Sequence, residues 1–380
     1  MNDDDLELLR LKLGSLGRPY APADVADGLR HLGLVVSDAM VMHALDALRR
    51  TSVGAGPLDP LLRMPGVTDV LVNGPSQVFI DRGHGLELVD VRFRDDDEVR
   101  RLAVRLAASA GRRLDDASPC VDARLTDGTR VHAVLSTLAD PGTCLSLRVP
   151  ARRSFSLDQW VATGSISAEC ADMLRRLVDS RVAFLVSGGT GSGKTTLLAS
   201  LLALVPADQR LLVVEDSREL APDHPHCVRL EARVANAEGA GTISLTHLVR
   251  QALRMRPDRL VLGEVRGAEL CDLLTALNTG HEGGCGTVHA NSASDVPARL
   301  EALAALGGLG RDACHAQVAS ALRVVVHVAR GEGGVRRVGE IGVVQRRPDG
   351  LVEIAVGAFS SPAGEWLPGP AHDELVQVLR

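Results

Sequence analysis

The sequence predicts an α/β fold: a mainly parallel sheet covered by helices on both faces, preceded by a smaller α+β domain and a short helical N-terminal segment. Two changes of pattern carry this expectation. From about residue 165 to 330, helical patterns alternate with short apolar runs: Ala183-Phe184-Leu185-Val186, Leu211-Leu212-Val213-Val214, Leu260-Val261-Leu262 and Val324-Val325-Val326. Strands buried on both faces read as such unbroken runs, and intervening helices bring them together in parallel. Upstream, from about 58 to 150, short strands and one amphipathic helix replace that alternation. The expected divisions are 1–52, 53–153 and 154–380, in line with roughly 150 residues per domain.

The elements follow in order. Residues 1–52 read as short helices, with starts at Ala23-Asp24-Val25 and Ser37-Asp38-Ala39 and with Leu29, Leu32, Val41, Leu45 and Leu48 at helical spacing. Ser52 to Pro57 reads as a linker. Val70-Leu71-Val72, Val78-Phe79-Ile80 and Leu86–Val89 are expected strands, and Glu98–Ala110 an amphipathic helix ending at Gly111. Ser154–Gly164 reads as a connection, and Ile341–Val356 as a hairpin around Arg347-Pro348-Asp349-Gly350. The acidic runs Asp3–Asp5 and Asp95–Glu98 are expected to be solvated faces.

Composition narrows the function. The 380 residues carry 42 Lys and Arg against 48 Asp and Glu, a net charge of −6, which argues against a nucleic-acid coat. Aromatics at 2% weaken any reading as a base-stacking single-strand binder, while 45% hydrophobic residues suffice for sizeable cores. Seven cysteines without a Cys-x-x-Cys pair, an acidic start and no long apolar run together point to a reducing cytoplasm, without a disulfide framework or a zinc site. Only two cations are lysines, Lys12 and Lys194.

One of those two sits in Gly188-Gly189-Thr190-Gly191-Ser192-Gly193-Lys194-Thr195, which matches G-x-x-x-x-G-K-[ST]. Glycines let backbone N–H groups converge on phosphate oxygens, and the helix that starts with Thr195 and Thr196 turns its positive end toward the anion. Lys194 would reach the β- and γ-phosphates, and the Thr195 hydroxyl would ligate Mg²⁺. The pattern marks an NTP site.

Hydrolysis also needs carboxylates to hold the metal and position water. Glu215 and Glu264 each end an apolar strand, where a parallel sheet opens its crevice. His289 follows another short strand, in Thr287-Val288-His289-Ala290-Asn291.

With these residues in place the chain resembles a secretion ATPase of the type II/IV superfamily, most closely the CpaF/TadA type of tight-adherence (Flp) pilus systems. The similar motifs come in order: the phosphate loop, an aspartate box at Val214–Leu220, a second acidic box at Gly263–Gly267, and a histidine box from Asn278-Thr279-Gly280-His281 to His289-Ala290-Asn291. Leu71-Val72-Asn73-Gly74 and Gly111–Asp115 extend it upstream. The resemblance implies a RecA-like ATPase domain and a homo-hexamer powering pilus assembly or protein secretion. That ring would sit on the cytoplasmic face of the inner membrane, against a platform protein. It also implies Glu264 as the catalytic glutamate, Glu215 assisting at the metal or water, and His289 sensing the terminal phosphate. Gly283-Gly284-Cys285-Gly286 departs from relatives that carry Ser and Leu there, which leaves the role of Cys285 open.

Arginines form the last expectation. For Val121, Ala123 and Leu125 to share a face with Val131, Ala133 and Leu135, opposed positions must sum to an even number. A three-residue loop, Thr126-Asp127-Gly128 with Gly128 left-handed, does this and sets Arg124 opposite Arg130 on the face away from the core. Opposed like charges are destabilising unless an anion lies between them. Arg124 and Arg130, with Arg148, are therefore expected to reach a nucleotide phosphate, at an interdomain cleft or from a neighbouring subunit. Arg250, Arg254, Arg256 and Arg259 form a cluster that could instead make an interface ladder, and the sequence does not rank the two groups. A hexameric helicase or DNA translocase, and a structural nucleotide-binding ring, are the rival functions.

Overall fold

The computed structural model describes residues 5, 8–9, 12–13, 21–34, 36–42, 44–45, 54–83, 85–150, 155–233, 235, 240–331, 335–361 and 364–380. It divides into two compact units, Met1–Pro150 and Ala151–Arg380.

In the first unit, helix α1 (Pro22–His31) buries Val25 and Leu29 with Leu9, Leu13, Ala44 and Leu45 in a small cluster of their own. Ser37 Oγ accepts the Met40 N–H at 3.2 Å, the cap that its sequence position implies. Of the expected linker, 52–53 lie outside the described residues. The rest is folded: Ala55 is buried in the core of this unit, and Gly56–Leu58 make one 3₁₀ turn into helix α2 (Asp59–Arg63). Apolar Ala55 and Leu58 win burial that a Gly/Pro-rich composition hides.

Six antiparallel strands follow: β1 (Asp69–Asn73), β2 (Gln77–Asp81), β3 (Leu86–Val89), β4 (Cys120–Arg124), β5 (Arg130–Val134) and β6 (Cys144–Arg148), in the order β3-β2-β1-β6-β5-β4. Their inward residues, Val70, Val72, Val78, Ile80, Val121, Val131, Leu145 and Leu147, pack with Val99, Leu102, Ala103 and Leu106 of helix α3 (Asp96–Ser109). The Asp95–Glu98 run is largely solvated, as expected, and is also a helix cap. Asp95 Oδ1 accepts the Glu98 N–H at 2.8 Å, and Asp96 accepts the Thr143 N–H and hydroxyl. Acids are favoured here because they satisfy the free amides of a helix start.

The β4–β5 hairpin has the expected register, with Ala123 opposite Val131, Arg124 opposite Arg130, and Gly128 at φ +91°. Arg130 in turn lies opposite Arg148, which pairs with Asp69 at 3.1 Å, so Arg124, Arg130 and Arg148 form one row across three strands.

The second unit is built on nine strands in the order β15-β14-β13-β12-β7-β11-β10-β8-β9. Six are parallel: β7 (Phe184–Gly188), β8 (Leu211–Glu215), β9 (Cys227–Glu231), β10 (Arg259–Val265), β11 (Cys285–His289) and β12 (Val324–Arg330). The expected tail hairpin is longer than its apolar core. β13 (Arg336–Arg346) pairs antiparallel with β12 as well as with β14 (Val352–Ser360), and β15 (Trp366–Pro368) ends the sheet.

Helices cover both faces. Phe184, Val186, Val213 and Val326 pack with helices α4 (Leu157–Ala162), α5 (Ala168–Asp179) and α6 (Lys194–Leu202), and with Leu375 of the C-terminal helix. Leu185, Leu212, Leu260 and Val325 face helices α7 (Leu245–Ala252), α8 (Glu269–Leu277), α9 (Val296–Leu306) and α10 (Arg311–Ala321).

Two expectations are corrected here. The connection at Ser154–Gly164 contains helix α4, started by a reciprocal cap between Ser156 and Gln159. Trp160 is buried within it, donating its indole N–H to Ser200 Oγ at 3.0 Å and packing edge-on against Phe155. Arg259 cannot belong to an arginine ladder at the surface, although Arg250, Arg254 and Arg256 are exposed. Arg259 is 2% exposed and donates to Gln209 Oε1 and the Val178 carbonyl, whereas Arg250 pairs with Asp272. Arg259 starts a buried strand, so its long side chain has nowhere to go but inward, onto the carbonyl end of α5.

Trp160→Ala is expected to cost about 3–5 kcal/mol in urea unfolding, the range for a buried aromatic. A loss within about 0.5 kcal/mol, as for an exposed connection, would refute this packing.

Candidate active site

β7 runs entirely buried into the phosphate loop, and α6 leaves it. Glycine is required at specific points. A Cβ on Gly188 would run into the Val328 carbonyl and Ser192 Oγ, while Gly191 and Gly193 stand at φ +68° and +100°. Ser192 Oγ is buried without a hydrogen-bond partner among the described residues. A cradle that admits no side chain and holds an unsatisfied hydroxyl fits phosphate oxygens.

Lys194 is 6% exposed. Its Nζ donates to the Gly189 carbonyl at 2.8 Å and lies 3.3 Å from His289 Nδ1. His289 Nε2 is 2.9 Å from Glu264 Oε1, and Glu264 Oε2 takes the Arg266 guanidinium at 2.7 Å. The ends of β7, β10 and β11 thus meet in one chain of contacts. The carboxylate fixes the imidazole tautomer: Nε2–H donates to Glu264, which leaves the Nδ1 lone pair facing the ammonium.

Electrostatics agree with that tautomer. Burial first, then the Lys194 charge, hold His289 below its ordinary pKa, so the ring is neutral at pH 7. Burial would raise Glu264, but the Arg266 hydrogen bond and the Arg266 and Lys194 charges outweigh it and keep the carboxyl low. Lys194 is depressed by burial, with Glu264 opposing.

Glu215 lies elsewhere. It is buried, and its Oε1 accepts the backbone N–H groups of Glu219 and Leu220 at 2.8 Å each. Its Oε2 has no hydrogen-bond partner among the described residues and faces Arg229 at 3.9 Å. Burial pushes this carboxyl up. Gly263 makes the room, since a Cβ there would strike Glu215 Cγ. Glu215 thus anchors the turn after β8, and it is Asp216 and Glu219 of that turn that approach the chain. Asp216 is 4.0 Å from Arg266, and the charge of Glu219 acts on Lys194.

A family model described as type II/IV secretion system protein matches residues 51–336. The chain belongs to that family. Among curated relatives, a putative conjugal transfer protein of Mycobacterium tuberculosis (strain ATCC 25618 / H37Rv) is 54% identical over 325 residues, covering 84% of this chain and 92% of that protein. The type IV secretion system protein VirB11 of Brucella suis biovar 1 (strain 1330) is 30% identical over 316 residues, covering 75% and 88%. The fold matches that of the ATPase DotB of Yersinia pseudotuberculosis, with TM-score 0.53, 18% identity, and 85% and 80% coverage. The pilus retraction motor PilT with bound ADP gives TM-score 0.51 at 18% identity, with 82% and 84% coverage. The second unit is accordingly the RecA-like domain of a type II/IV secretion protein.

Within this family member, the structure joins Lys194, His289 and Glu264 directly, and Thr195 and Thr196 stand in the first turn of α6. Arg124, Arg130 and Arg148 lie in the first unit. Arg266 and Glu219 were not singled out from sequence, although both fall inside the quoted acidic boxes. Cys285 is buried in the sheet core with its thiol pushed up to about 12 by burial, and it serves packing. No helix among the described residues is long and apolar enough to cross a membrane.

Two outcomes test this geometry. Lys194→Met is expected to raise the His289 pKa and Glu264→Gln to lower it, read by NMR titration of the ring; either shift reversed would contradict the contact chain. Gly263→Ala should destabilise by about 1–3 kcal/mol in denaturant unfolding, because the methyl displaces Glu215.

Proposed function

We propose that this protein is an ATP-hydrolysing motor that powers pilus assembly or protein secretion, of the tight-adherence type, working as a homo-hexamer on the cytoplasmic face of a bacterial inner membrane against a platform protein. The observation that carries the reading is the contact chain from the phosphate-loop Lys194 through His289 to Glu264. A structural nucleotide ring has no use for a neutral imidazole locked between a lysine and a low-pKa carboxylate.

In this reading Lys194 leaves the Gly189 carbonyl and turns to the β- and γ-phosphates of ATP. Thr195 Oγ and Glu264 would hold Mg²⁺, which would supply charge neutralisation on the phosphate oxygens. Glu264, anionic because Arg266 clamps its far oxygen, orients the attacking water. His289, released by Lys194, reads whether the terminal phosphate is present. Glu215 acts as a positioning residue, holding the turn that presents Asp216 and Glu219. Arg124, Arg130 and Arg148 reach the phosphates from a neighbouring subunit, an assignment supported by three cations sharing one sheet row.

Lys194→Ala is expected to abolish ATP binding. Glu264→Gln should still bind ATP while turnover falls about 10²- to 10⁴-fold. Full turnover in either variant would sink the assignment, and stimulation of hydrolysis by DNA would favour a translocase instead. Arg124→Ala should lower turnover with assembly intact; unaltered turnover would remove the arginines from the site.

A further inference from the structure

β12 ends at Arg330, β13 begins at Arg336, and the antiparallel register places the two directly opposite each other. The Gly331 N–H donates to the Val335 carbonyl at 2.8 Å, which closes the start of the hairpin. Opposed residues project from the same face, so two guanidiniums are brought to one spot. Neither makes a hydrogen bond or ion pair with any described residue, although arginines elsewhere in the chain find carboxylates readily. Burial and the neighbouring Arg330 charge both work against the Arg336 cation. Opposed like charges destabilise a strand pair, and the partly buried Arg336 does so more, because less water screens it.

The spot lies on the outer flank of the phosphate loop. Arg336 Cδ comes within 3.0 Å of where a Cβ on Gly193 would stand, beside the Trp160 ring edge at 3.4 Å. Arg330 Nη2 is 4.0 Å from the corresponding point on Gly191. The strand order sets the two flanks apart. β7 lies between β11, which delivers His289, and β12, which delivers Arg330. Lys194, His289 and Glu264 therefore serve the β11 side, where the terminal phosphate is cut. On the ATP reading, a nucleotide laid across the loop with its terminal phosphate at Lys194 and Glu264 would carry its remaining phosphates toward the β12 side.

We infer that Arg330 and Arg336 form a second anion subsite, which grips the nucleoside-proximal phosphate of the bound nucleotide and retains the diphosphate product after the terminal phosphate has left. The assignment rests on the ATP reading above. Guanidiniums suit the task, because their planar forks hydrogen-bond phosphate oxygens in pairs and stay charged when partly buried. The arrangement also accounts for two like charges at one hairpin position: the ligand supplies the missing anion.

The test is titration of the full chain with a fluorescent ADP, at low and moderate salt, for the parent and for Arg330→Gln, Arg336→Gln, the double variant and Arg336→Lys. Each neutral substitution is expected to weaken ADP binding about tenfold, with a flatter dependence on salt and with Arg336→Lys recovering part of the loss. Thermal unfolding followed alongside certifies the fold, and Arg330→Gln, at an exposed position, removes half of the pair without touching packing. Unchanged ADP affinity in folded variants would overturn the inference. So would variants that alter only self-association, since the pair would then be holding a neighbouring chain's carboxylate. If the parent itself binds no ADP, the ATP reading fails as well. Parental binding that is lost in Lys194→Ala but kept in the double variant removes the subsite alone.

Discussion

A buried ammonium has to be compensated where it stands, and Lys194 imposes that requirement on the whole second unit. Taking a charged amine out of water costs several kcal/mol unless charge and hydrogen bonds replace the lost hydration. The compensation comes from three strands far apart in sequence: the Gly189 carbonyl after β7, His289 at the end of β11 and, through it, Glu264 on β10. Only a parallel order with β11 inserted between β7 and β10 brings those ends together. The topology and the site are thus one constraint seen twice, because a rearranged sheet would strand the lysine charge.

The same economy of charge operates on the arginines. Forty arginines are spread through a chain with a net charge of −6, and many of those described rest on an acid nearby. Arg259 is the exception in kind, buried on neutral acceptors where it closes the carbonyl end of a helix. The rows formed by Arg124, Arg130 and Arg148, and by Arg330 and Arg336, are exceptions in arrangement. Strand register, not chance side-chain drift, sets like charges side by side in both.

What could be read from the sequence follows the range of the forces involved. The phosphate loop is local: its glycines, lysine and flanking apolar runs decide its shape within twenty residues. The β4–β5 register could be counted, since pleat parity and a short loop leave one solution. The Arg330–Arg336 pairing could not be counted in the same way. Its apolar run, Val324–Val326, lies several residues from the turn, and the partner strand extends well before the Ile341 run that flagged the hairpin. Helix α4 was hidden because six residues carry too little periodicity, even though its Ser156–Gln159 cap is legible once looked for. Strand ends pointed to Glu215 and Glu264 alike, yet periodicity does not say which way a terminal carboxylate turns.

That last ambiguity is settled by a single missing side chain. Both glutamates come at the ends of adjacent strands, β8 and β10, and only one can face the loop without like charges repelling at close range. Gly263, immediately before Glu264, opens a slot beside β8 that takes the Glu215 stem, and two backbone amides then fix the Glu215 carboxylate. Glu264 is left alone at the crevice, where Arg266 and Lys194 keep it ionised. The glycine thus divides labour between two chemically identical groups, one made a buried anchor and the other a half-buried anion at the crevice. The glycine of this acidic box therefore shapes the contact chain as much as the glutamate that follows it.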